Sequence, residues 1–306
     1  MRIAVIGAGA MGSIYGGHLS QNNEVYLVDT AAQVVEHVRK EGIKIQENGE
    51  DVIYHPQAVT STEGLEPVDL VILFVKSLFS RAALSGNKGL IGPDTYVMTL
   101  QNGSGHEDIL GEFVGQDHIV IGTTEDNGAV LGLGHIRRGG EGNTNVGMLV
   151  EDKDGFLPKL KEAFDCCGFN VKIHANIQQL IWNKLFTNVS LSAVTGILQV
   201  DMGYIASNEH AWAMTRRLIK EAVAVAHAMG LEAIAAKVRK TSEMSPNGCT
   251  SIRADLRDGR KSEVDTISGS VVRAAAKVGV PVPCHEFVVN MVHALERDDC
   301  LTEKNA

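Results

Sequence analysis

A glycine-rich turn near the start of the chain constrains the fold more than any other feature of the sequence. Gly7, Gly9 and Gly12 directly follow the apolar residues 3–6 and precede a segment with helical patterning. In this context the first glycine permits a tight turn, the second lets the backbone approach a pyrophosphate, and the third allows close helix packing. The spacing therefore predicts a dinucleotide-binding unit, and the alternative is a glycine-rich turn without a ligand.

Four further apolar runs repeat the first one along the N-terminal part of the chain, at residues 25–28, 70–75, 96–100 and 119–121. They alternate with helix-like segments, which is typical of a parallel sheet with crossover helices. Asn48 and Gly49 separate two short apolar segments and predict an inserted hairpin, a decoration of the sheet. The glycine-rich segment 122–147 predicts loops and antiparallel edge strands that close the sheet.

From residue 175 onward the sequence changes to long helical windows, including 211–229 and 263–278, with little strand signal. The predicted fold class is therefore α/β, with two domains. Residues 1–172 are predicted to form an N-terminal Rossmann-type doubly wound sheet that binds a dinucleotide. Residues 173–306 are predicted to form an all-helical C-terminal domain that carries substrate and catalytic residues.

Composition limits the partners of the protein. The chain has 28 Lys and Arg against 37 Asp and Glu, and its net charge of −9 disfavours nucleic acids and anionic membranes, because both require a positive surface. Apolar runs are far shorter than the roughly 20 residues that span a bilayer. We therefore expect a cytoplasmic protein with no membrane or nucleic-acid partner. Five cysteines, with Cys166 adjacent to Cys167 and no CxxC motif, predict neither a disulfide framework nor a metal site.

Asp29 ends the second predicted strand, roughly 20 residues beyond the glycine turn. A carboxylate at this place can accept hydrogen bonds from the ribose hydroxyls of an adenosine. It repels the 2′-phosphate of NADPH, and Thr30 and Ala31 supply no cation to offset that repulsion. The sequence therefore predicts NAD(P)H as the cofactor, with NADH favoured, and the alternative is a solvated aspartate at a strand end.

Three polar side chains recur at helical spacing in the second half of the chain. Lys184, Asn188 and Ser192 fall at i, i+4 and i+8, so they share one face of a helix. Spacing alone favours the solvated side of an amphipathic helix over a binding site.

The chain resembles the ketopantoate reductases (2-dehydropantoate 2-reductases) and the related D-2-hydroxyacid dehydrogenases along nearly its whole length. The motifs that carry the resemblance are GAGAMG at 7–12, FVKS around Lys76, LQNG at 100–103, GTT at 122–124, WNKLFTN at 182–188, and the stretch 250–283. The resemblance implies an oxidoreductase that reduces a small 2-keto acid to the (R)-2-hydroxy acid, with ketopantoate as the leading substrate.

The resemblance also implies roles for single residues. Lys184 corresponds to the catalytic lysine that donates a proton to the keto oxygen, and Glu263 to the active-site glutamate. Ser262 and Asp265 have the spacing of a capping box, which predicts Glu263 in the first turn of a helix. The implied substrate-binding residues are Asn102, Asn188, Ser192 and Ser251, and the implied cofactor-binding residues are Gly7, Ala8, Gly9, Ala10, Met11, Gly12, Asp29, Lys76, Asn102 and Glu263.

Several positions depart from the family pattern. Ser192 stands where many members have an asparagine, residues 201–203 replace a second asparagine-containing turn, and Thr30 stands in place of an arginine typical of NADPH-using members. Glu125 and Asp126 add two carboxylates to another motif.

These departures keep two alternatives open. One is an NAD-dependent D-2-hydroxyacid dehydrogenase for branched or aromatic 2-keto acids. The other is a non-catalytic dinucleotide-binding sensor, against which the presence of Lys184, Glu263 and Ser251 argues. An exposed helical face would also support a homodimer.

Overall fold

The computed structural model describes residues 1–232 and 238–296. The chain divides into two compact units. Unit 1 comprises Met1–Gln101 and His106–Gln178, and unit 2 comprises Asn102–Gly105 together with the chain from Gln179 onward. Each unit has its own cluster of buried hydrophobic residues. These units are defined by which residues pack together. The domain boundary expected between residues 172 and 173 stays a prediction.

Unit 1 combines strands and helices in the alternating order that the sequence predicts. Its strands are β1 (Arg2–Ile6), β2 (Glu24–Val28), β3 (Ile43–Glu47), β4 (Glu50–Tyr54), β5 (Gln57–Val59), β6 (Leu70–Leu73), β7 (Tyr96–Thr99), β8 (Ile119–Thr124), β9 (Gly128–Gly132), β10 (His135–Arg138), β11 (Asn143–Gly147) and β12 (Asn170–Ile173). Its helices are α1 (Ala10–Leu19), α2 (Ala32–Glu41), α3 (Ser80–Gly86), α4 (His106–Leu110) and α5 (Phe156–Asp165).

The main sheet has eight strands in the order β12-β11-β8-β7-β6-β1-β2-β5. The six strands from β8 to β5 pair in parallel, and β11 pairs antiparallel with β8. Strands of a parallel sheet are covered on both faces, which explains their nearly continuous apolar runs. In β6, for example, all four residues are buried. The predicted fold class is confirmed.

A second sheet was not predicted. β3 and β4 form the expected hairpin around Asn48 and Gly49, whose φ angles of 52° and 86° are those of a tight hairpin turn. The hairpin is not a separate decoration, because β3 pairs in parallel with β10, and β10 pairs with β9, in the order β4-β3-β10-β9. Of the strands that begin within the glycine-rich segment 122–147, only β11 therefore joins the main sheet, and it lies between β8 and β12, so the expected edge position is wrong for this strand.

A buried polar cluster joins this second sheet to α1. Arg138 on β10 donates from Nε to Asp126 Oδ1 at 3.0 Å and lies 3.4 Å from Glu47 Oε2 on β3. The same Glu47 oxygen lies 3.1 Å from Nε2 of His18 on α1, and burial lowers the pKa of His18. Asp126, one of the departures from the family pattern, thus forms a buried ion pair within unit 1.

The described part of unit 2 is helical and contains no strand. Its helices are α6 (Ile177–Thr187, which begins at the end of unit 1), α7 (Ala193–Leu198), α8 (Met202–Ser207), α9 (Glu209–Ala228), α10 (Val238–Met244), α11 (Ser251–Arg257), α12 (Ser268–Val278) and α13 (Pro283–Leu295). Among the described residues, no helix has both the length and the apolar character needed to cross a membrane.

Candidate functional site

The glycine turn is packed tightly at its first and third glycines and open at its second. Gly7 has a φ of +105°, and a Cβ there would lie 2.9 Å from backbone atoms of Phe74 and Val75. A Cβ on Gly12 would lie 1.7 Å from the carbonyl oxygen of Gly7. By contrast, apart from its own neighbours in the chain and helix, no heavy atom of the described residues lies within 4 Å of a Cβ built on Gly9. Packing therefore requires glycine at the first and third positions, and the second leaves space for a ligand.

This open space lies at the N-terminus of α1. Gly9 is the N-cap residue, no side chain caps the helix, and its first turn contains no acidic residue. The first N–H groups of a helix have no carbonyl partner within it and carry the positive end of the helix dipole. Backbone N–H groups of Ala10, Met11 and Gly12 therefore form a favourable site for an anion such as a pyrophosphate.

Asp29 joins the glycine turn to the end of β2. Its Oδ2 accepts a hydrogen bond from the N–H of Ala8 at 2.6 Å, and its Oδ1 accepts one from the N–H of Ala31 at 2.8 Å. An ionised carboxylate has about four lone-pair positions, so these two bonds leave room for further donors.

A cavity of about 450 Å³ in unit 1 is lined by Gly7, Asp29, Thr30 and their neighbours. Asp29 is the one charged residue in this lining, and the remainder is apolar or neutral. Val75, which precedes Lys76, also contributes to the wall. Unit 1 thus brings together the glycine turn, Asp29 and the segment that leads into Lys76.

In unit 2, the predicted polar stripe lies at a change of helix type. Lys184 is half-buried in the last turn of α6. Asn188 begins a π-helical turn, Asn188–Ser192, and is also half-buried. Ser192 ends that turn and is only 5% exposed, so the solvated-face interpretation is wrong for this residue. Such single π-turns are frequent at functional sites.

Ser251 is exposed at the first position of α11, and α11 packs on α7. The hydroxyl oxygens of Thr195 and Thr250 lie 2.7 Å apart, and a Cβ on Gly196 would lie 2.6 Å from the side chain of Ile252. The start of α11 is therefore held against α7, the helix that follows the π-turn.

Glu263 is half-buried and lies outside a helix, contrary to prediction. Its carbonyl accepts backbone bonds within a turn, and α12 begins only at Ser268. The expected capping box does not form, because the N–H of Ser262, which Asp265 would accept in such a box, donates instead to Glu296 Oε1 at 2.8 Å, while Ser262 Oγ accepts from the N–H of Val264 at 3.3 Å. The spacing of Ser262 and Asp265 is a local signal that this longer-range bond overrides.

The loop that carries Asn102 lies against the turn that carries Glu263. Gly103 has a φ of +106°, and a Cβ there would lie 2.1 Å from the carbonyl oxygen of Thr266. The N–H of Ser104 donates to the same oxygen at 3.0 Å. The sequence did not single out Thr266, and the glycine of LQNG is the one signal that a close approach occurs here. Unit 2 thus brings the Asn102 loop beside the Glu263 turn.

The two units offer different chemistry. Unit 1 has backbone N–H groups at the N-terminus of α1, the carboxylate of Asp29 and a cavity, which together suit a dinucleotide. Unit 2 has an ammonium, amides and hydroxyls, which suit a small anion, and a carboxylate, which can accept from a hydroxyl group. Among the described residues, no group of three or more His, Cys, Asp or Glu is arranged to hold a metal ion.

Comparison with known families gives two matches that together cover most of the chain. The family described as "Ketopantoate reductase PanE/ApbA" matches residues 3–151. The family described as "Ketopantoate reductase PanE/ApbA C terminal" matches residues 176–296.

Individual relatives are similar over their full length. The chain is 31% identical to a 2-dehydropantoate 2-reductase of Lactococcus lactis, over 97% of this chain and 98% of that one. It is 29% identical to a 2-dehydropantoate 2-reductase of Halobacterium salinarum, over 97% and 100%. Among solved structures it is similar to a D-mandelate dehydrogenase in a ternary structure with NADH and anilino(oxo)acetate, with a TM-score of 0.88, 32% identity, and coverage of 99% and 100%.

Proposed function

The chain belongs to the ketopantoate reductase family and is an oxidoreductase, and on that premise we propose that it reduces 2-dehydropantoate to (R)-pantoate with a reduced nicotinamide dinucleotide. The structural observation that carries the proposal is the open space at Gly9, the N-cap residue of α1, whose N-terminus no side chain caps. The preceding residue, Ala8, donates a hydrogen bond to Asp29. This arrangement accepts a pyrophosphate and an adenosine ribose together.

The residues of unit 1 fit such a cofactor. The N–H groups of residues 10–12 bind its pyrophosphate, and Asp29 accepts hydrogen bonds from the ribose hydroxyls. Lys76 is proposed to lie at its nicotinamide side. Because Asp29 is the charged group of the cavity lining, we propose a preference for NADH over NADPH. When bound, the reduced nicotinamide supplies the hydride.

Lys184 is proposed to complete the reaction as the general acid. A hydride that adds to the keto carbon leaves the electron pair of the C=O bond on oxygen. The ammonium of Lys184 stabilises that negative charge and donates the proton that turns it into a hydroxyl. The lysine is left as a neutral amine, which regains a proton from solvent.

The remaining predicted residues of unit 2 are proposed to bind the substrate. Asn102 and Asn188 supply amide groups, and the hydroxyl of Ser251 donates to the substrate carboxylate. Glu263 is proposed to accept a hydrogen bond from the substrate hydroxyl and to contact the cofactor. The approach of the Asn102 loop to the Glu263 turn at Thr266 supports a shared site for these two residues.

A second candidate is a D-2-hydroxyacid dehydrogenase for branched or aromatic 2-keto acids. Two observations favour it: the similarity to the D-mandelate dehydrogenase, and the short buried hydroxyl of Ser192 where ketopantoate reductases often have an asparagine. The sensor hypothesis has no such support, because the matching family is described as a reductase.

Oxidation of NADH in the presence of a panel of 2-keto acids tests the proposal. The panel contains ketopantoate, 2-ketoisovalerate and phenylglyoxylate, and the enzyme is compared with its Lys184→Ala variant. We expect the highest kcat/KM with ketopantoate. A higher value with phenylglyoxylate would favour the second candidate, and no turnover of any 2-keto acid would contradict both.

We also propose that the protein forms a homodimer through unit 2. An apolar groove of about 570 Å³ there contains Met214 and Phe287, which are 45% and 63% exposed. Large exposed apolar patches mark association surfaces. Light scattering should give twice the mass of one chain, and Phe287→Ser should lower it to that of a monomer. A monomer in the unmodified protein would contradict this proposal.

A further inference from the structure

The side chain of Gln101 forms a buried polar junction at the carboxyl end of β7. Its amide nitrogen donates to the carbonyl oxygen of Val75 at 2.6 Å and to Ser80 Oγ at 3.0 Å. Its amide oxygen accepts from Thr99 Oγ1 at 2.8 Å. Because a carbonyl oxygen can only accept, the atom next to Val75 must be the nitrogen, and this fixes the orientation of the amide. Gln101 is 9% exposed, so the junction is shielded from water.

The junction holds a segment that two parts of the candidate site share. The Val75 carbonyl belongs to the peptide group between Val75 and Lys76. The hydrogen bond from Gln101 therefore fixes the orientation of this peptide group, which includes the backbone nitrogen of Lys76. The same segment forms the wall against which Gly7 packs, because a Cβ on Gly7 would lie 2.9 Å from the nitrogen of Val75. Val75 also lines the cavity that contains Asp29.

We propose that Gln101 is a positioning residue for dinucleotide binding and for Lys76. It acts through the Val75–Lys76 peptide group and makes no contact with the substrate itself. The inference rests on the proposed function, because it assigns a role in the same cofactor site.

A neutral amide is the side chain that suits this place. It donates to Val75 and accepts from Thr99 at the same time. A carboxylate of the same shape accepts only, so it would place a negative charge against the Val75 carbonyl. An alanine would leave the Val75 carbonyl and the buried Thr99 hydroxyl without that partner, which costs free energy and lets the segment shift.

The first test compares Gln101→Ala with Gln116→Ala, an exposed glutamine of the same unit. Displacement of a binding segment by about 1 Å can cost up to about 100-fold in rate. We therefore expect Gln101→Ala to raise the Kd for NADH and to lower kcat by roughly 10- to 100-fold. Gln116→Ala should leave both values unchanged. Thermal unfolding of each variant, measured under the assay conditions, ensures that only folded protein is compared.

The second test separates positioning from a general loss of structure. In Gln101→Glu, a protonated carboxyl group keeps one O–H donor for the Val75 carbonyl and an acceptor for Thr99, although it has one donor fewer than the amide, whereas the ionised form has no donor. The ratio of kcat/KM for this variant to that of the unmodified enzyme should therefore rise as the pH falls. A pH-independent ratio, or full activity of the variant at neutral pH, would overturn the inference.

The third test asks whether Gln101 acts through Lys76. In a Lys76→Ala background, Gln101→Ala should lower kcat much less than it does in the unmodified enzyme, because the group that it positions is gone. Equal effects in both backgrounds would contradict the role.

The Kd for NADH tests the role of Gln101 independently of which substrate the enzyme reduces. If the protein binds NADH but reduces no 2-keto acid, the proposed function fails, while the Kd comparison between Gln101→Ala and Gln116→Ala still decides the role of Gln101. Equal Kd values for these two variants would show that the inference itself is wrong.

Discussion

The N–H of Ala8 donates a 2.6 Å hydrogen bond to the carboxylate of Asp29, so the glycine turn and the end of β2 are joined directly. The residue that is proposed to select the cofactor therefore also holds the turn that binds it. Any substitution of Asp29 changes charge and turn geometry together, and experiments on cofactor preference have to separate the two.

Cofactor preference should follow the charge at Asp29. Asp29→Asn removes the negative charge and keeps one acceptor oxygen, which can serve Ala8 while the N–H of Ala31 loses its partner. Thr30→Arg adds a guanidinium that suits a phosphate. We expect the double variant to raise the kcat/KM ratio of NADPH over NADH by roughly 10- to 100-fold, since a charged hydrogen bond contributes about 1.5–3 kcal/mol.

Asp29→Asn alone serves as the control, because it removes repulsion without adding attraction. A clear NADPH preference in the unmodified enzyme would contradict the role of Asp29. It would then require a cation from elsewhere, such as Arg39, whose Nε donates to the carbonyl of Ala58 at 2.6 Å.

The proton donor can be tested by Lys184→Ala. Loss of a positioned general acid should lower kcat by roughly 10²- to 10⁴-fold. NADH affinity should hardly change, because residues of unit 1 are proposed to bind most of the cofactor. Lys220→Ala, at an exposed position of α9, is the matched control. Near-normal kcat for Lys184→Ala with the preferred 2-keto acid would exclude this lysine as the donor.

Substrate choice can be tested at Ser192. In Ser192→Asn, a regained amide contact worth about 0.5–1.5 kcal/mol should raise the kcat/KM ratio of ketopantoate over 2-ketoisovalerate, which lacks the hydroxyl, by roughly 2- to 10-fold. Because Ser192 is buried, the larger side chain should also lower the free energy of unfolding by about 1–3 kcal/mol. Ser192→Ala controls for loss of the hydroxyl. An unchanged ratio would show that this position does not contact the discriminating group.

Stability should fall in mild acid because of His285. This side chain is fully buried, its Nε2 donates to the carbonyl of Leu218 at 3.0 Å, and burial lowers its pKa below the ordinary value of 6.5. As the pH falls, this histidine therefore binds a proton at a higher pH in the unfolded chain than in the folded protein. The free energy of unfolding has its full value above pH 6.5 and decreases as the pH falls below 6.5, by at most about 1.4 kcal/mol per pH unit.

Urea unfolding at several pH values measures this slope. His285→Gln retains a donor for Leu218 and does not titrate, so its slope should be flatter. His210→Gln is the control, because the side chain of His210 is 88% exposed. If the slope of His285→Gln equals that of the unmodified protein, His285 does not cause the loss of stability in mild acid.

Local signals made much of unit 1 predictable. The glycine turn, the end of β2 and the hairpin at Asn48 and Gly49 are each determined by neighbouring residues, and the structure contains all three. The pairing of β3 with β10 joins residues that are distant in the chain, so no local pattern indicates it. The ion pair between Glu47 of β3 and Arg138 of β10 joins the same two distant segments, so the sequence does not indicate it either.

The candidate site shows the same limit. Helical spacing grouped Lys184, Asn188 and Ser192 on one α-helical face, but the segment from Asn188 to Ser192 is a π-helical turn and Ser192 is buried. The capping-box pattern before α12 failed because Glu296, at the C-terminal end of α13, accepts the Ser262 N–H that the box would pair with Asp265. The contacts of Gln101 likewise join two strand ends, so the sequence offers no spacing that would reveal them.

The four residues from Asn102 to Gly105 belong to unit 2 although the chain on both sides of them belongs to unit 1. Unit 2 is therefore not one contiguous segment of the chain. Exchanging the C-terminal segment alone between two relatives would not transfer the whole unit. A fragment that begins at Gln179 would lack the loop that donates to the carbonyl of Thr266, together with Asn102. A chimaera of two relatives has to take this loop from the same parent as the turn at Thr266 on which it packs.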